Sequence, residues 1–298
     1  MKVIEITSSE YPCLLKQVNN HPKKIYYKGT WDSKLFDNCL AVVGSRKMTS
    51  YGRRITDQLV SEIAFLGVTI VSGFMYGGDE AAHRAAVKVG GRTIAVMPCG
   101  IDLIHPEDQE ELYNDILNNN GLIISEYEGE MKPALWTYPQ RNRIVAGLSK
   151  ALLVIEAGEK SGSLITANYA KKFKRKIFAA PGPITSSVSV GTNILIKQGA
   201  EMVLSARDIL DYFYQEGVLH ASKKPKALAN ENSENLFSSQ DKLDKLDKQI
   251  LDLLAREPFG IDELSRDLEM PVSELSVKLS MMEIQGLIEL KGDKYYAY

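Results

Sequence analysis

The amino-acid sequence predicts an α/β fold, with a Rossmann-like, doubly wound and mostly parallel sheet followed by a small winged-helix domain. The first observation is that short apolar runs alternate with amphipathic helical patterns, as in repeated strand-helix units. The second is that several runs are apolar at nearly every position, which is typical of strands covered by helices on both faces. The third is that helical periodicity returns near the C-terminus after a polar stretch. Ligands of such a sheet bind outside the carboxyl ends of its strands.

The individual elements follow from the same patterns. The apolar runs predict strands at Leu40–Val43, Val68–Val71, Thr93–Met97, Leu122–Ile124, Ala151–Ile155, Ile177–Ala180 and Met202–Leu204. The amphipathic segments between them predict helices at Tyr51–Phe65, Glu80–Val89, Glu107–Leu117, Gln140–Leu148, Leu164–Phe173 and Asn193–Gln198. A last helix of the sheet domain is expected at Asp208–Tyr214.

Composition divides the chain into four parts. Residues 1–38 are expected to form an N-terminal extension, and residues 39–216 the Rossmann-like domain. Residues 217–242 are rich in Lys, Asn, Ser and Glu with few apolar side chains, so they are a predicted linker. Residues 243–298 contain three helical patterns and end in LIELKGDKYYAY, which predicts two strands around a turn and hence a winged helix.

The overall composition is that of a globular protein, with 44% hydrophobic and 25% charged residues. The sequence contains no apolar run near the ~20 residues of a membrane helix, and its start has no signal-peptide core. Three cysteines without metal-ligand spacing fit a reducing cytoplasm, and four scattered histidines argue against zinc. Motifs for a Ser-His-Asp triad, paired catalytic carboxylates or a Walker loop are missing from the sequence. We therefore predict a cytoplasmic, non-enzymatic protein without a metal ion or cofactor.

The formal net charge of −2 argues weakly against a nucleic-acid binder, but charge is unevenly distributed. Residues 1–230 contain 28 basic and 23 acidic side chains, whereas residues 231–298 contain 8 basic and 15 acidic ones. Polyanion binding is therefore expected in the first domain. In the winged helix, the exposed positions of the third helix include a single basic residue, Lys278, so contact with protein is expected there.

The strongest local signal for anion binding is the run Ser161-Gly162-Ser163, with Thr166 one turn further on. It follows an apolar strand run and begins a helix near Leu164. Glycine lets the backbone approach a ligand closely, the first N–H groups of a helix are unpaired, and the helix dipole favours negative charge. An ordinary helix cap would explain one serine but not the whole run of small residues.

Arg141, Asn142 and Arg143 lie at the start of the preceding helix and provide two planar guanidinium groups suited to phosphate. Residues two apart on a helix point in different directions. We therefore expect one arginine to face the anion pocket and the other to pair with an acidic residue such as Glu126 or Glu156. The alternative is a helix start with solvated charges.

Gly44-Ser45-Arg46 follows the first strand of the predicted domain. It is not the G-x-G-x-x-G dinucleotide fingerprint, and the end of the second strand lacks the acidic residue that binds a ribose. We predict that Arg46 contacts a phosphate or a base, the alternative being a tight turn with a solvated arginine. Tyr138, close to the arginines, is a candidate for stacking on a base or, equally, for a core or interface position.

Beyond these local signals, the chain resembles the DNA-processing protein A (DprA/Smf) family of single-strand DNA binders over about residues 10–210. The motifs that carry the resemblance are, in order, Tyr11-Pro12, Tyr26-Tyr27-Lys28-Gly29, Val43-Gly44-Ser45-Arg46, Ser72-Gly73 leading to Asp79, Cys99-Gly100-Ile101-Asp102 with His105-Pro106, Ser125-Glu126, Pro139-Gln140-Arg141-Asn142-Arg143, the Ser-Gly-Ser loop, Pro181-Gly182 and Gly191-Thr192-Asn193. Two features depart from the family. The small helical domain usual ahead of the sheet is not expected here, and the loop after Ser72-Gly73 reads Phe-Met-Tyr-Gly-Gly-Asp where the family has Gly-Ile-Asp.

The resemblance implies a non-catalytic protein that protects incoming single-stranded DNA in natural transformation and loads the RecA recombinase onto it. It also implies a homodimer formed through the Rossmann-like domain. The alternative is a nucleotide-binding or phosphoribohydrolase-type enzyme of the LOG-like fold, whose phosphate loop reads Pro-Gly-Gly-x-Gly-Thr before a catalytic glutamate. The corresponding run, Glu159–Thr166, has no carboxylate two or three residues into the helix, which disfavours hydrolysis. A transcription regulator acting through the winged helix is weakened by the acidic charge of that domain.

Overall fold

The computed structural model describes residues 2–217 and 244–297, which belong to two separate compact units. The first unit contains the sheet and the second the C-terminal helices. Apart from Gly217, the predicted linker 217–242 lies outside the described residues.

The first unit is built from nine strands and eight α-helices within its described residues. The strands are β1 Lys2–Glu5, β2 Lys24–Gly29, β3 Cys39–Val43, β4 Thr69–Ser72, β5 Thr93–Gly100, β6 Leu122–Tyr127, β7 Ala151–Val154, β8 Lys176–Ala179 and β9 Glu201–Met202. The helices are α1 Cys13–Lys16, α2 Ser50–Phe65, α3 Gly78–Lys88, α4 Glu110–Asn118, α5 Thr137–Leu148, α6 Gly162–Lys172, α7 Val190–Lys197 and α8 Ala206–Gln215. Two 3-10 turns lie at Ser33–Phe36 and Glu107–Gln109.

The sheet has the strand order β1-β2-β6-β5-β4-β3-β7-β8-β9. All neighbouring pairs from β6 to β9 are parallel, which confirms the predicted fold class. Each predicted strand and helix of the domain is present, with ends that differ by at most three residues. The chain runs outward from β3 to β6 and then returns to the other side of β3 as β7. This reversal opens a crevice at the carboxyl ends of β3 and β7, where open α/β sheets bind ligands.

Strand β3 shows how the core is divided between the two faces of the sheet. All five of its residues are buried. Leu40 and Val42 belong to the apolar cluster formed with α2, α3 and α8, whereas Ala41 and Val43 belong to the cluster formed with α5 and α6. Alternation of side chains along a strand therefore feeds both layers, which is why the strand is apolar throughout.

The N-terminal segment differs from the expected extension, because it adds two antiparallel strands to the sheet. Strand β1 pairs with β2, and β2 pairs with β6, so that Tyr26 lies opposite Ser125. Ile25 and Leu35 are buried to 1% and 0% exposure, and Tyr11 donates a hydrogen bond to Pro22 O at 2.7 Å. Residues 2–38 are thus part of the sheet domain.

The second unit confirms the predicted winged helix. It contains α9 Lys245–Arg256, β10 Phe259–Gly260, α10 Ile261–Asp267, α11 Val272–Ile284, β11 Ile288–Lys291 and β12 Lys294–Ala297. Its three strands have the order β10-β12-β11. The core is formed by Ile250, Leu254, Leu264, Leu275, Leu279, Met282 and Ile288. Ile284, which the sequence pattern groups with the apolar side of the third helix, is 86% exposed.

Among residues 2–217 and 244–297, no helix is long and apolar enough to cross a membrane.

Candidate nucleic-acid interface

A cleft of about 870 Å³ lies at the carboxyl ends of β3 and β7, at the point where the chain reverses direction. Ten of the eleven residues predicted from sequence line it, namely Gly44, Ser45, Arg46, Tyr138, Arg141, Asn142, Ser161, Gly162, Ser163 and Thr166. Arg143 is not among the lining residues. The fold therefore brings together three segments that are about 100 and 20 residues apart in the chain.

The start of α6 forms one wall of this cleft. Ser161 Oγ accepts a hydrogen bond from Ser163 N at 3.3 Å, and Ser163 Oγ donates one to Gly44 O at 2.8 Å. Around Gly162, an added Cβ atom would meet no atom within 4 Å, so the backbone at the first turn is open. Thr166, one turn further along, is 1% exposed. The backbone at Gly162 and the dipole of this helix end are therefore open to solvent, a geometry that suits an anion.

The floor of the cleft depends on two glycines that face each other. Ser45 O accepts a hydrogen bond from Gly78 N at 3.0 Å, which joins the loop after β3 to the start of α3. A Cβ atom on Gly44 would lie 3.0 Å from Gly78 Cα. Only glycines allow the two backbones this approach, so the Gly44–Arg46 loop is held by packing as well as by hydrogen bonds.

Arg46, Lys47 and Lys160 are exposed at the rim of the cleft. None of the three forms an ion pair with a carboxylate among the described residues. The guanidinium carbon of Arg46 lies 5.2 Å from the centre of the Tyr138 ring, within the range of a cation–π contact. These three cations give the rim a positive charge that is free to meet phosphate.

Tyr138 is held on its other side by His105. A hydrogen bond of 2.9 Å joins Tyr138 Oη to His105 Nε2. Burial is the main reason that the pKa of His105 is lowered, and the neighbouring charge of Arg46 acts in the same direction. The imidazole is therefore neutral at pH 7 and orients the phenol ring without adding charge.

Arg141 lies under the floor of the cleft and is only 3% exposed. Its Nη1 donates hydrogen bonds to Gly73 O and, at 2.6 Å, to Val96 O, while its Nε donates to Asn142 Oδ1 at 3.1 Å. Burial raises the pKa of the nearby Asp79 carboxyl, and the charge of Arg141 partly offsets that rise. Arg141 thus joins the ends of β4 and β5, and its hydrogen bonds point into the protein.

Arg143 points away from the cleft and is 4% exposed. Its Nη2 donates to both carboxylate oxygens of Glu126 at 2.7 Å. Sequence reasoning left open which arginine faces the pocket and whether the other pairs with Glu126 or Glu156. In the structure, Arg141 lines the pocket and Arg143 pairs with Glu126.

Glu156 has a different partner, at the start of α2. It is 2% exposed and accepts hydrogen bonds from Thr49 N, at 3.0 Å, and from Thr49 Oγ1. The chain therefore supplies its own anion to the N-terminus of α2. The start of α6, in contrast to that of α2, has no carboxylate of the chain seated on it.

Sequence reasoning missed Lys47 and Lys160 at the rim, and His105 and Asp79 behind it. The two lysines directly flank recognised motifs, so their position in the sequence was a usable signal. His105 and Asp79 reach the site only through folding. The first turn of α6 contains no acidic residue. Within residues 2–217 and 244–297, no group of three or more His, Cys, Asp or Glu side chains is arranged to hold a metal ion.

The winged helix offers a different surface. Lys278, the one basic residue predicted to be exposed on its third helix, forms ion pairs of 2.7 Å with both Asp244 and Asp247. The exposed face of this helix instead carries Val277 and Met281, which are 64% and 55% exposed. The charge of Lys278 is therefore neutralised within the unit, and the exposed face combines these apolar side chains with the acidic Glu274 and Glu283.

The fold and the cleft together define a Rossmann-like domain whose cleft has exposed basic side chains at its rim, joined in one chain to a winged helix. The family model described as DNA recombination-mediator protein A matches residues 2–214, and the model described as DprA winged helix domain matches residues 237–293. The chain belongs to the DNA-processing protein A (DprA/Smf) family, which confirms the resemblance seen in the sequence.

Individual relatives agree with this assignment. Protein Smf of Escherichia coli K12 is 36% identical over 288 residues, which cover 96% of this chain and 74% of that protein. DNA processing protein DprA of Streptococcus pneumoniae is 39% identical over 203 residues, which cover 68% of this chain and 71% of that protein. The X-ray structure of the Streptococcus pneumoniae protein has a TM-score of 0.66 at 35% identity, covering 70% of this chain and 73% of the other. DNA processing protein A of Helicobacter pylori, whose structure is described for its single-stranded DNA binding mode, has a TM-score of 0.64 at 31% identity, covering 72% of this chain and 97% of the other.

Proposed function

We propose that this protein binds single-stranded DNA in the cleft, and that it thereby protects incoming DNA and loads the RecA recombinase in natural transformation and recombination. The observation that carries the proposal is the convergence of the free cations Arg46, Lys47 and Lys160 on the open start of α6, beside Tyr138. Membership of the DprA/Smf family and the single-strand binding of the Helicobacter pylori relative support it. We place this activity in the cytoplasm, where RecA acts.

In the proposed binding mode, phosphates contact Arg46, the hydroxyl group of Ser161 and the backbone of Gly162. A base lies against the ring of Tyr138. The shape of the cleft is set by Gly44, Ser45, Asn142, Ser163 and Thr166, and Arg141 supports its floor. Arg143 does not line the cleft and supports it indirectly through its ion pair with Glu126. Every base has a π-face and every nucleotide a phosphate, so little sequence preference is expected.

We also propose that the protein is a homodimer formed through the sheet domain. Strand β9 is one of the two edge strands of the sheet, and among the described residues it pairs with β8 alone. Met202 on this strand and Leu204 just after it are 45% and 74% exposed. A second copy covering this edge would bury both apolar side chains and extend the DNA track.

The proposal is tested by measuring the anisotropy of fluorescein-labelled single-stranded and double-stranded oligonucleotides of one sequence over a salt series. We expect tighter binding of the single strand, with log K falling linearly against log salt by about 0.7 per phosphate contact. Single strands bound by this protein should also resist nuclease digestion. They should assemble RecA filaments faster than strands that are coated with single-strand binding protein and lack this protein. Equal or tighter binding of the duplex would contradict the proposal, and unchanged RecA assembly would remove its recombination part.

Truncation after Gln240 is expected to leave the affinity for single-stranded DNA within about twofold of the full chain. The removed segment is acidic, and Lys278 is already paired with Asp244 and Asp247. Loss of its negative charge could only reduce repulsion of phosphate. The measurement is the same anisotropy titration, with the mass of the particle followed by light scattering. A tenfold loss, equivalent to ~1.4 kcal/mol, with the dimer mass unchanged would show that the winged helix contacts DNA. A monomeric mass for the full chain would refute the proposed dimer.

The phosphoribohydrolase alternative predicts chemistry that we do not expect. Purified protein should release no base from nucleoside 5′-monophosphates, because the first turn of α6 holds no carboxylate to activate water. Free base is measured by chromatography after prolonged incubation, with a Ser161→Ala, Ser163→Ala double variant as control. Release of base by the native chain that is lost in the double variant would promote the enzyme hypothesis.

A further inference from the structure

Two large apolar side chains lie directly before α5, next to the segment that lines the cleft. Leu135 is 92% exposed and lines the cleft, and Trp136 is 54% exposed. Tyr138, two residues further along, also lines the cleft. The exposed apolar surface is therefore continuous in the chain with the proposed DNA site. We call Leu135 and Trp136 the apolar ledge.

The indole of Trp136 is restrained even though most of it is exposed. Its ring packs against that of Tyr127 at 5.9 Å between centres, with the planes at 89°. The other of the two tryptophans, Trp31, is enclosed between Tyr27 at 4.8 Å and Phe36 at 4.9 Å. Trp136 thus presents a fixed aromatic surface to solvent, which reduces the entropy lost when a flat ligand stacks on it.

Charges around the apolar ledge do not favour phosphate. The preceding loop exposes Glu128 and Glu130 together with a single cation, Lys132. The ledge is therefore suited to a neutral, flat group, and the basic cleft beside it to the phosphates of the same strand. Single-stranded DNA combines these two chemistries, because its bases are flat and neutral and its backbone carries phosphates.

We propose that Trp136, supported by Leu135, is a second stacking position, which takes a base of the single strand where it leaves the cleft. This inference rests on the proposed function and adds a residue to the track that begins at Tyr138. Because stacking involves no charge, Trp136 contributes affinity without contributing to the dependence on salt. A protein partner seated on the ledge is the competing occupant.

Tryptophan fluorescence provides a direct test. In a Trp31→Phe variant, Trp136 is the one remaining indole, and its emission should be quenched by unlabelled oligothymidine with the same midpoint as the anisotropy titration. If Trp31→Phe fails to fold, the native chain is compared with Trp136→Phe, in which the quenching should disappear. Full binding by anisotropy without quenching of Trp136 would overturn the inference and leave the proposed function standing.

Affinity of ledge variants supplies the second measurement. We expect Trp136→Leu to weaken single-strand binding about fivefold, near the low end for loss of one stacked base. Trp136→Phe should recover most of that loss, and the slope of log K against log salt should be unchanged in both variants. Native affinity in Trp136→Leu would overturn the inference and favour a protein occupant. Absence of any single-strand binding by the native chain would instead refute the proposed function, and the inference with it.

Discussion

Replacement of Arg141 by alanine is expected to lower the free energy of unfolding of the sheet domain by about 3–5 kcal/mol, the usual cost of removing one partner from a buried ionic network. Arg141 donates to the carbonyls of Gly73 and Val96, and without it these buried acceptors lose a charged donor and the Asp79 carboxylate loses its neighbouring cation. The thermal midpoint should fall by roughly 10 °C or more for a domain of this size. Calorimetry or circular dichroism measures both quantities.

The loss of stability in Arg141→Ala should also depend on pH. Burial raises the pKa of Asp79 above its ordinary value of 3.8, and Arg141 opposes that rise. In the variant the pKa of the folded state should rise further above that of the unfolded state. The contribution of Asp79 to stability is then fully present at pH values below the pKa of the unfolded state, and it is lost as pH rises through the pKa of the folded state. The deficit should therefore be smaller at pH 4 than at pH 8, and a deficit that does not change with pH would contradict the role given to Asp79.

Arg46→Ala should have the opposite profile, with weaker DNA binding and native stability. Arg46 is exposed, and its one contact among the described residues is with the Tyr138 ring at 5.2 Å. Loss of a phosphate contact by a charged group is expected to weaken single-strand binding by at least about tenfold, equivalent to ~1.5–3 kcal/mol. The dependence of log K on log salt should also flatten by about 0.7. Anisotropy titrations at several salt concentrations measure both effects.

Arg207→Ala is the matched control for this experiment. It removes the same charge from α8, where the Arg207 side chain is 83% exposed and its ion pair with Asp211, at 3.6 Å, is a surface contact. Such pairs contribute little to stability, so both affinity and salt slope should stay native. If Arg46→Ala behaves like Arg207→Ala, Arg46 does not contact the DNA backbone. If Arg46→Ala lowers the thermal midpoint as Arg141→Ala does, then Arg46 supports the fold and its assignment as a DNA contact without a structural role is wrong.

The contrast between these two arginines explains why the sequence predicts both of them near the cleft but does not separate the exposed one from the buried one. Both lie in motifs that follow or precede strands of the sheet. Their accessibility depends on which loops cover them. Gly73, after β4, and Asp79, in the first turn of α3, lie about 65 residues away in the chain and enclose Arg141, whereas Arg46 is exposed.

The sequence by itself determined the doubly wound sheet, the winged helix and the family. Buried parallel strands such as β3 are apolar at every position, and the apolar residues of helices such as α2 recur with the helical period of about 3.6 residues. The local pattern is therefore enough to locate both. Small residues at Ser161 to Ser163 also marked the open helix start, because that chemistry is local.

Other features depend on contacts between segments that are distant in the chain. The strand β2 lies near the edge of the sheet and carries the mixed sequence KIYYKG, so it was assigned to an extension, although pairing with β6 makes it part of the sheet. Likewise, nothing local distinguishes Arg141 from Arg143. The position of α5 against the sheet sets the direction of each guanidinium. It also buries Arg143 beside Glu126, so that the two form an ion pair. Long-range packing sets these outcomes because burial and pairing are properties of neighbours in space, which a local pattern of residues does not contain.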